Sequence, residues 1–167
     1  MSTDLIKDFL RKQNVFAVVG VSRDPAKYGH QVYKDLKEAG YAVYAVNPNI
    51  DEVLGDRCYH SLGELPERPD VVDTVVPPAV TEKVVEECKE LGVERVWMQP
   101  GSESERAINF CTRNRIKVVQ NVCVMVKRKA ARDGEEESGS SEQNRNPLNT
   151  QTTKVQKRGK RKGRWKS

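Results

Sequence analysis

The residues best suited to bind a charged ligand lie in one short loop near the start of the chain. An apolar run, Val15–Val19, ends at Gly20, and the loop after it carries Ser22, Arg23 and Lys27 before a helical pattern begins. A helix start presents free backbone N–H groups and the positive end of its dipole, and both attract phosphate. Glycine lets a backbone approach a ligand closely because it has no Cβ. This order of elements predicts a site for an anionic, nucleotide-like ligand.

The loop differs from the dinucleotide-binding fingerprint. The pattern G-x-G-x-x-G would need glycine where Ser22 and Pro25 stand. At the end of the second strand, where dinucleotide-binding proteins commonly carry an acid that grips ribose hydroxyls, this chain has Asn47. Both differences weigh against an NAD(P)-dependent oxidoreductase or nucleotide sensor, which stays an alternative function. Asn47 itself is open to two interpretations, a ligand contact or a turn residue before Pro48.

The elements that position this loop alternate along the chain. Strands are predicted over residues 15–19, 41–46, 71–76, 93–98 and 117–120, with helices between them. A capping box at Ser102-x-x-Glu105 predicts the start of one of these helices. The strands read as continuous apolar runs, which is typical of a parallel sheet covered on both faces. We therefore predict an α/β, Rossmann-like, doubly wound parallel sheet of about five strands in an order like 3-2-1-4-5. Ligands of such sheets bind beyond the carboxyl ends of the strands.

The end of the chain has a different composition from the rest. Of 29 Lys and Arg residues and 24 Asp and Glu residues, eleven and five respectively fall in residues 129–167, so the preceding part is nearly neutral. A segment this polar buries too little apolar surface to order itself. We predict an ordered domain over residues 1–128 and a disordered basic tail over 129–167. The tail either makes weak RNA contacts between Lys154 and Lys166 or is solvated without a specific partner.

The remaining signals exclude several classes of protein. The four cysteines form no C-x-x-C pair, which argues against a zinc ribbon or a thioredoxin-type motif. No secretory leader and no apolar run of about 20 residues is visible, so we expect a cytoplasmic protein without a membrane segment. The sequence shows no catalytic constellation, which favours a binding protein over an enzyme and leaves the oligomeric state open.

A set of motifs in fixed order resembles a known family. These motifs are Val19-Gly20-Val21-Ser22 with Lys27 and Gly29, then Val46-Asn47-Pro48, Gly55, Trp97-Met98-Gln99-Pro100-Gly101 and Cys123. Together they resemble the CoA-binding domain family, the small single-domain relatives of the N-terminal domain of the succinyl-CoA synthetase α subunit. The resemblance covers roughly residues 5–128. It implies a Rossmann-like fold that holds CoA or an acyl-CoA along the carboxyl edge of the sheet.

The resemblance also implies which residues contact CoA. They are Gly20, Val21 and Ser22 at the phosphate end with Arg23 and Lys27 as charge partners, Asn47 and Pro48 over the nucleotide, Val76, Pro77 and Val80 at the third strand, and Gln99 and Gly101 at the fourth. Three side chains keep two interpretations each. Gln99 bonds a ligand amide or caps a turn. Cys123 forms a mixed disulfide with a ligand thiol or is a buried structural residue. His30 touches a phosphate or is a solvated helix residue, which the pattern favours.

Overall fold

The computed structural model describes residues 3–138, so the predicted RNA contact between Lys154 and Lys166 lies outside it. This part of the chain forms seven strands and five α-helices. The strands are β1 Val15–Val19, β2 Ala42–Val46, β3 Glu52–Val53, β4 Asp56–Tyr59, β5 Val71–Thr74, β6 Arg95–Met98 and β7 Lys117–Gln120. The helices are α1 Thr3–Phe9, α2 Tyr28–Glu38, α3 Pro78–Leu91, α4 Glu105–Arg113 and α5 Val124–Ser138.

The strands form one sheet in the order β3-β4-β2-β1-β5-β6-β7, parallel except for the β3–β4 pair. The predicted parallel α/β architecture is confirmed, but the predicted position of strand 71–76 is wrong. This strand pairs with β1, with Val19 opposite Thr74, and does not lie at the far edge. The reason is an unpredicted hairpin over residues 52–59, whose strand β4 takes the place beside β2. With β4 counted as the third parallel strand, the order becomes 3-2-1-4-5-6.

Helices cover both faces of the sheet, as the doubly wound prediction requires. Phe16 and Val18 of β1 face the core beneath α1, α2 and α5, together with the fully buried Trp97. Ala17 and Val19 face the opposite core beneath α3 and α4. Because successive side chains of a strand point to opposite faces, β1 is apolar at every position. The site therefore rests on a strand that is buried from both sides.

Helix α5 continues past Arg128, where the sequence predicted that ordered structure ends. Val124 is fully buried in the core beneath α2. The Arg128 guanidinium donates two hydrogen bonds of 2.8 Å to the Asp35 carboxylate of α2. These anchors lie in the first turns, whereas residues 129–138 carry no apolar pattern from which a helix could be predicted. Among residues 3–138, no helix is long and apolar enough to cross a bilayer.

Candidate functional site

The carboxyl ends of the parallel strands bring all the predicted binding residues to one edge of the sheet. The loop from Gly20 follows β1, Asn47 follows β2, Val76 follows β5 and Gln99 follows β6. Val80 lies in the first turn of α3 at the same edge. Residues separated by most of the chain length are therefore neighbours here, because parallel strands end on the same side.

Two glycines let neighbouring backbone pack closely at the end of β1. Gly20 has a φ of +102°, and a Cβ at this position would lie 2.1 Å from the Val75 carbonyl oxygen. A Cβ at Gly29 would lie 2.1 Å from the Gly20 carbonyl oxygen. The sequence predicts that the missing side chain of Gly20 leaves room for a ligand. In the structure, the backbone of Val75 occupies that room. Gly29 lets the start of α2 pack against the end of β1, and Gly20 lets the residues after β5 do so.

The start of α2 has no side-chain cap. Lys27 occupies the cap position in an extended conformation, and its side chain makes no capping hydrogen bond. The first N–H groups of an α-helix have no partner within the helix, so an uncapped start leaves them available to another acceptor. This backbone lies at the carboxyl edge and carries the positive end of the α2 dipole.

Two cations flank this helix start. Arg23 and Lys27 are exposed, and neither forms an ion pair with any of residues 3–138. The acid of the loop, Asp24, is engaged locally, since its carboxylate accepts a 2.9 Å hydrogen bond from the Ala26 N–H. Its own N–H donates to Ser22 Oγ at 3.1 Å. The loop is thus folded by its polar residues and presents its two cations outward.

His30 ties the loop to α2. The favoured interpretation as a solvated helix residue is wrong, because His30 is 6% exposed. Its Nδ1 lies 2.9 Å from the Ser22 carbonyl oxygen. A carbonyl accepts hydrogen bonds, so Nδ1 carries the proton in this contact. The orientation of the ring depends on the tertiary packing of α2 against β1, which no local pattern around His30 reveals.

Asn47 connects the end of β2 to the same loop. Its Nδ2 donates to the Val21 carbonyl oxygen at 2.7 Å, and its Oδ1 accepts from the Asn49 N–H at 2.8 Å. Both ends of the amide are engaged by backbone, which favours the turn interpretation. Beside it Pro48 is exposed, as are Pro77 and Val80 across the edge. These side chains give the edge apolar surface next to its cations.

The side chain of Gln99 is buried beneath the edge. It is 0% exposed, and its Nε2 donates to Asp73 Oδ1 at 2.7 Å. Its Oε1 accepts from the Val124 N–H at 3.1 Å and from the Tyr28 hydroxyl at 2.9 Å. Every arm of the amide thus meets another part of the protein. Gln99 and the fully buried Val21 support the edge from below and do not expose their side chains on it.

Asp73 is a functional candidate that the sequence analysis missed. It is fully buried, and burial raises its pKa to about 8, although the hydrogen bond from Gln99 acts in the opposite direction. Its Oδ2 has no hydrogen-bond partner within the described residues. The available signal was a carboxylate inside the run Val71-Val72-Asp73-Thr74, since a strand buried on both faces rarely carries an unpaired acid.

Cys123 lies at the same edge, between β7 and α5. It is half-buried, whereas Cys58, Cys88 and Cys111 are buried. The Tyr28 hydroxyl forms a 2.9 Å hydrogen bond with its Sγ, and its single proton serves either this contact or Gln99 Oε1. Burial, followed by this hydrogen bond, raises the pKa of the Tyr28 hydroxyl far above its ordinary range, so it is a donor at any physiological pH. Tyr28 was missed because its contact with Cys123 joins residues that lie 95 positions apart in the chain.

Two further features lie apart from this edge cluster. Ser104, and not the predicted Ser102, caps α4 by accepting from the Ala107 N–H at 3.3 Å. Ser102 is buried and forms a hydrogen bond with the Thr74 hydroxyl at 2.9 Å.

A groove of mixed charge runs between α3 and α4, lined by Glu82, Ser104, Glu105, Arg106, Asn109 and Arg113. Within residues 3–138, no group of three His, Cys, Asp or Glu side chains is placed to hold a metal ion.

Comparisons with known proteins match the same part of the chain. A family model described as a CoA binding domain matches residues 14–129. The uncharacterized protein YneT of Bacillus subtilis is 33% identical over 121 residues, which are 72% of this chain and 90% of YneT. The ADP-forming acetate–CoA ligase of Methanocaldococcus jannaschii is 34% identical over 103 residues, but these are 14% of the ligase.

A solved structure also matches this chain. A conserved hypothetical protein from Pyrococcus furiosus superposes with a TM-score of 0.66 at 43% identity, covering 68% of this chain and 98% of that one. The matched region of the family model runs from just before β1 into α5, and so includes every loop of the carboxyl edge.

Proposed function

We propose a function on the premise that this chain belongs to the family of CoA binding domains: it binds CoA or an acyl-CoA at the carboxyl edge of its sheet. The observation that carries the proposal is that Arg23 and Lys27, which form no ion pair with any of residues 3–138, lie beside the uncapped start of α2. The phosphates of the ligand meet these cations and the first N–H groups of the helix. The proposal assigns binding and no reaction.

The chemistry of the edge fits the parts of CoA. The phosphates need cationic and N–H donors, which Arg23, Lys27 and the start of α2 supply. The adenine and the methyl groups of the pantetheine arm need apolar surface, which Pro48, Pro77 and Val80 expose. When bound, CoA supplies a thiol that carries acyl groups. These residues of the chain hold and orient it.

The same edge fits NAD less well. A dinucleotide site commonly uses an acid at the end of the second strand to hold ribose hydroxyls. Here the residue is Asn47, and both ends of its amide are engaged by backbone groups. We expect CoA to bind at least about 10-fold more tightly than NAD, a difference of about 1.4 kcal/mol. Calorimetric titration of the two ligands measures this ratio, and equal or tighter NAD binding contradicts the proposal.

Removing the cations tests which loop holds the phosphates. The double substitution Arg23→Ala and Lys27→Ala is expected to weaken CoA binding by about 10- to 100-fold, because it removes two charge-assisted contacts of about 1 kcal/mol or more each. Lys34→Ala is the matched control, since Lys34 is an exposed cation of the same helix that pairs with Glu38 at 3.8 Å. Equal CoA affinity of the double variant and the control would place the phosphates elsewhere.

A further inference from the structure

We propose that Cys123 is a thiol–disulfide exchange site that reacts with the disulfide form of CoA and becomes a mixed disulfide with it. This inference rests on the proposed function, because the ligand that carries the second sulfur is the one held at the carboxyl edge. It assigns to this chain a covalent modification in addition to reversible binding. Three features of the described residues carry it: the place of Cys123, its hydroxyl partner and a buried carboxyl group behind them.

The place of Cys123 distinguishes it from the other cysteines. It is half-buried, whereas Cys58, Cys88 and Cys111 are buried within the fold. It directly precedes α5, and its carbonyl oxygen accepts the 3.1 Å hydrogen bond from the Lys127 N–H that closes the first turn. The positive end of the α5 dipole therefore lies beside the sulfur and favours negative charge there. A thiolate is the form that attacks a disulfide.

The Tyr28 hydroxyl can donate its proton to either of two acceptors, and the charge of the sulfur decides which one. It lies 2.9 Å from Cys123 Sγ and also 2.9 Å from Gln99 Oε1. Gln99 Oε1 accepts a second hydrogen bond from the Val124 N–H, so it keeps a partner when the Tyr28 proton points to the sulfur. The hydroxyl has one proton and serves Gln99 while the thiol is neutral. When a thiolate forms, the hydroxyl donates its proton to Sγ instead. Gln99 Oε1 then still accepts the hydrogen bond from the Val124 N–H, so no buried oxygen is left without a partner.

A buried, unpartnered carboxyl group points to a ligand at the same place. Asp73 Oδ1 accepts from Gln99 Nε2, but its Oδ2 has no partner within the described residues although the side chain is fully buried. Asp73 lies opposite Trp97 in the β5–β6 register, and Trp97 faces the core beneath α2 and α5. The orphan oxygen is therefore on the side of the sheet where Tyr28 and Cys123 lie. A buried polar atom without a partner in the protein can take one from a bound water or ligand.

The separation of the two sites suits an extended ligand. The phosphate loop follows β1 and Cys123 follows β7, with β5 and β6 between them. Three strand spacings of roughly 4.8 Å place the two strand ends about 14 Å apart along one edge. CoA carries its phosphates and its sulfur at opposite ends of its pantetheine arm. One molecule thus has the chemistry for both sites.

The exchange is balanced without an external oxidant. Cys123 loses its thiol proton to solvent, and the thiolate attacks one sulfur of CoA disulfide. The sulfur–sulfur bond of the reagent breaks as the new bond from Sγ forms. The second CoA leaves as a thiolate and takes up a proton. One disulfide is consumed and one is formed, so the number of oxidised sulfurs is unchanged, and a free thiol reverses the reaction.

The test uses the full chain, reduced and then incubated with CoA disulfide. Intact-mass and peptide-mass measurements follow the adduct, and cystamine, a disulfide without a nucleotide, is the comparison reagent. We expect one CoA on Cys123, removed by dithiothreitol and formed about 10-fold faster than the cystamine adduct, because binding holds the reagent near the sulfur. Tyr28→Phe is expected to slow both reactions. Arg23→Ala with Lys27→Ala is expected to slow the reaction with CoA disulfide and not that with cystamine.

Each contrary result overturns the inference. Equal rates with both reagents show that Cys123 is an accessible thiol without ligand guidance. No adduct, or an adduct on Cys58, Cys88 or Cys111, shows that the site is not Cys123. Calorimetry of reduced CoA on Cys123→Ser separates the two proposals: if CoA binds to this variant and the natural chain shows no exchange, the exchange site is wrong and the binding function stands. If reduced CoA does not bind, the proposed function fails first.

Discussion

The two edges of the sheet use the same charged residue types in opposite ways. At the amino edge, the Asp8 carboxylate accepts a 2.8 Å hydrogen bond from Arg95 Nε at the start of β6, and Lys117 of β7 lies 3.6 Å from it. At the carboxyl edge, Arg23 and Lys27 pair with none of the described acids. Charges that meet each other hold the elements of this fold in place. Charges left unpaired beside an uncapped helix start mark the place where a ligand supplies the missing anion.

The largest expected effect lies at the glycines of the carboxyl edge. Gly20→Ala is expected to lower the free energy of unfolding by about 2 to 4 kcal/mol, because the Cβ meets the Val75 carbonyl oxygen and the φ of +102° is strained for alanine. Substitution by valine, with its larger side chain, therefore tests folding before it tests binding. Urea denaturation measures the loss.

Gly55→Ala is the matched control. Gly55 also has a positive φ, +78°, but nothing lies within 4 Å of its Cβ position. Only the backbone strain of about 1 kcal/mol is expected. If Gly20→Ala and Gly55→Ala lose the same stability, the close contact of β1 with the residues after β5 does not constrain position 20.

The buried acid gives an effect of a different kind, a dependence of stability on pH. Asp73 titrates at about 8 in the folded chain, against an ordinary value of 3.8. Its contribution to stability is fully present below the lower value and is lost as pH rises through the higher one, because in between only the folded state keeps the proton. The free energy of unfolding is expected to fall between these values by up to about 1.4 kcal/mol per pH unit.

Asp73→Asn removes this titration. Urea denaturation at several pH values between 5 and 8 is expected to show a flatter dependence for the variant than for the natural chain. Parallel profiles of the two proteins would mean that Asp73 is ionised in the folded state.

The paired acid of the amino edge is expected to matter less. Asp8→Asn should lower the free energy of unfolding by about 1 kcal/mol and leave CoA affinity unchanged. The hydrogen bond from Arg95 holds the pKa of Asp8 below its ordinary value, so its stabilisation is present above pH 4 and is lost as the pH falls further. A change in CoA affinity in Asp8→Asn would show that the two edges are not independent.

The smallest effect on the domain is expected from the end of the chain. A chain that ends at Ser138 keeps α5 and is expected to retain its thermal midpoint and CoA affinity. This shortened chain is expected to lose the predicted weak RNA binding between Lys154 and Lys166. In the full chain, the logarithm of the RNA association constant is expected to fall by about 0.7 per phosphate contact for each tenfold rise in salt concentration. RNA titration of both proteins at several salt concentrations is the measurement. Equal RNA binding would remove this function from the tail.

The parts of the fold that the sequence predicts are those with long apolar runs. Strands such as Val15–Val19 are apolar on both faces, and their alternation with helices leaves few architectures. Strand β4 was missed because Asp56-Arg57-Cys58-Tyr59 has one fully buried side chain and joins the sheet through only two register pairs with β2. That single omission displaced the third predicted strand in the sheet order.

The sequence predicts which loops meet at the carboxyl edge, and it predicts less well how their side chains are oriented. Strand ends fix which loops meet, so the edge follows from topology alone. Whether a polar side chain points into the protein depends on packing between distant elements, as with His30 against the β1 loop and Gln99 against Asp73. Tyr28 became visible as a partner of Cys123 only when α2 and α5 were placed side by side.

The most direct test of the central claim is to locate CoA on the folded chain. Amide chemical shifts of the full, isotope-labelled chain are recorded while CoA is added. The largest changes are expected at the carboxyl edge, in residues 20–30, 47–49 and 76–80, with the amides of the first turn of α2 among them. The amino edge around Asp8 and Arg95 should remain unchanged. Changes concentrated at the amino edge, or in the groove between α3 and α4, would contradict the account.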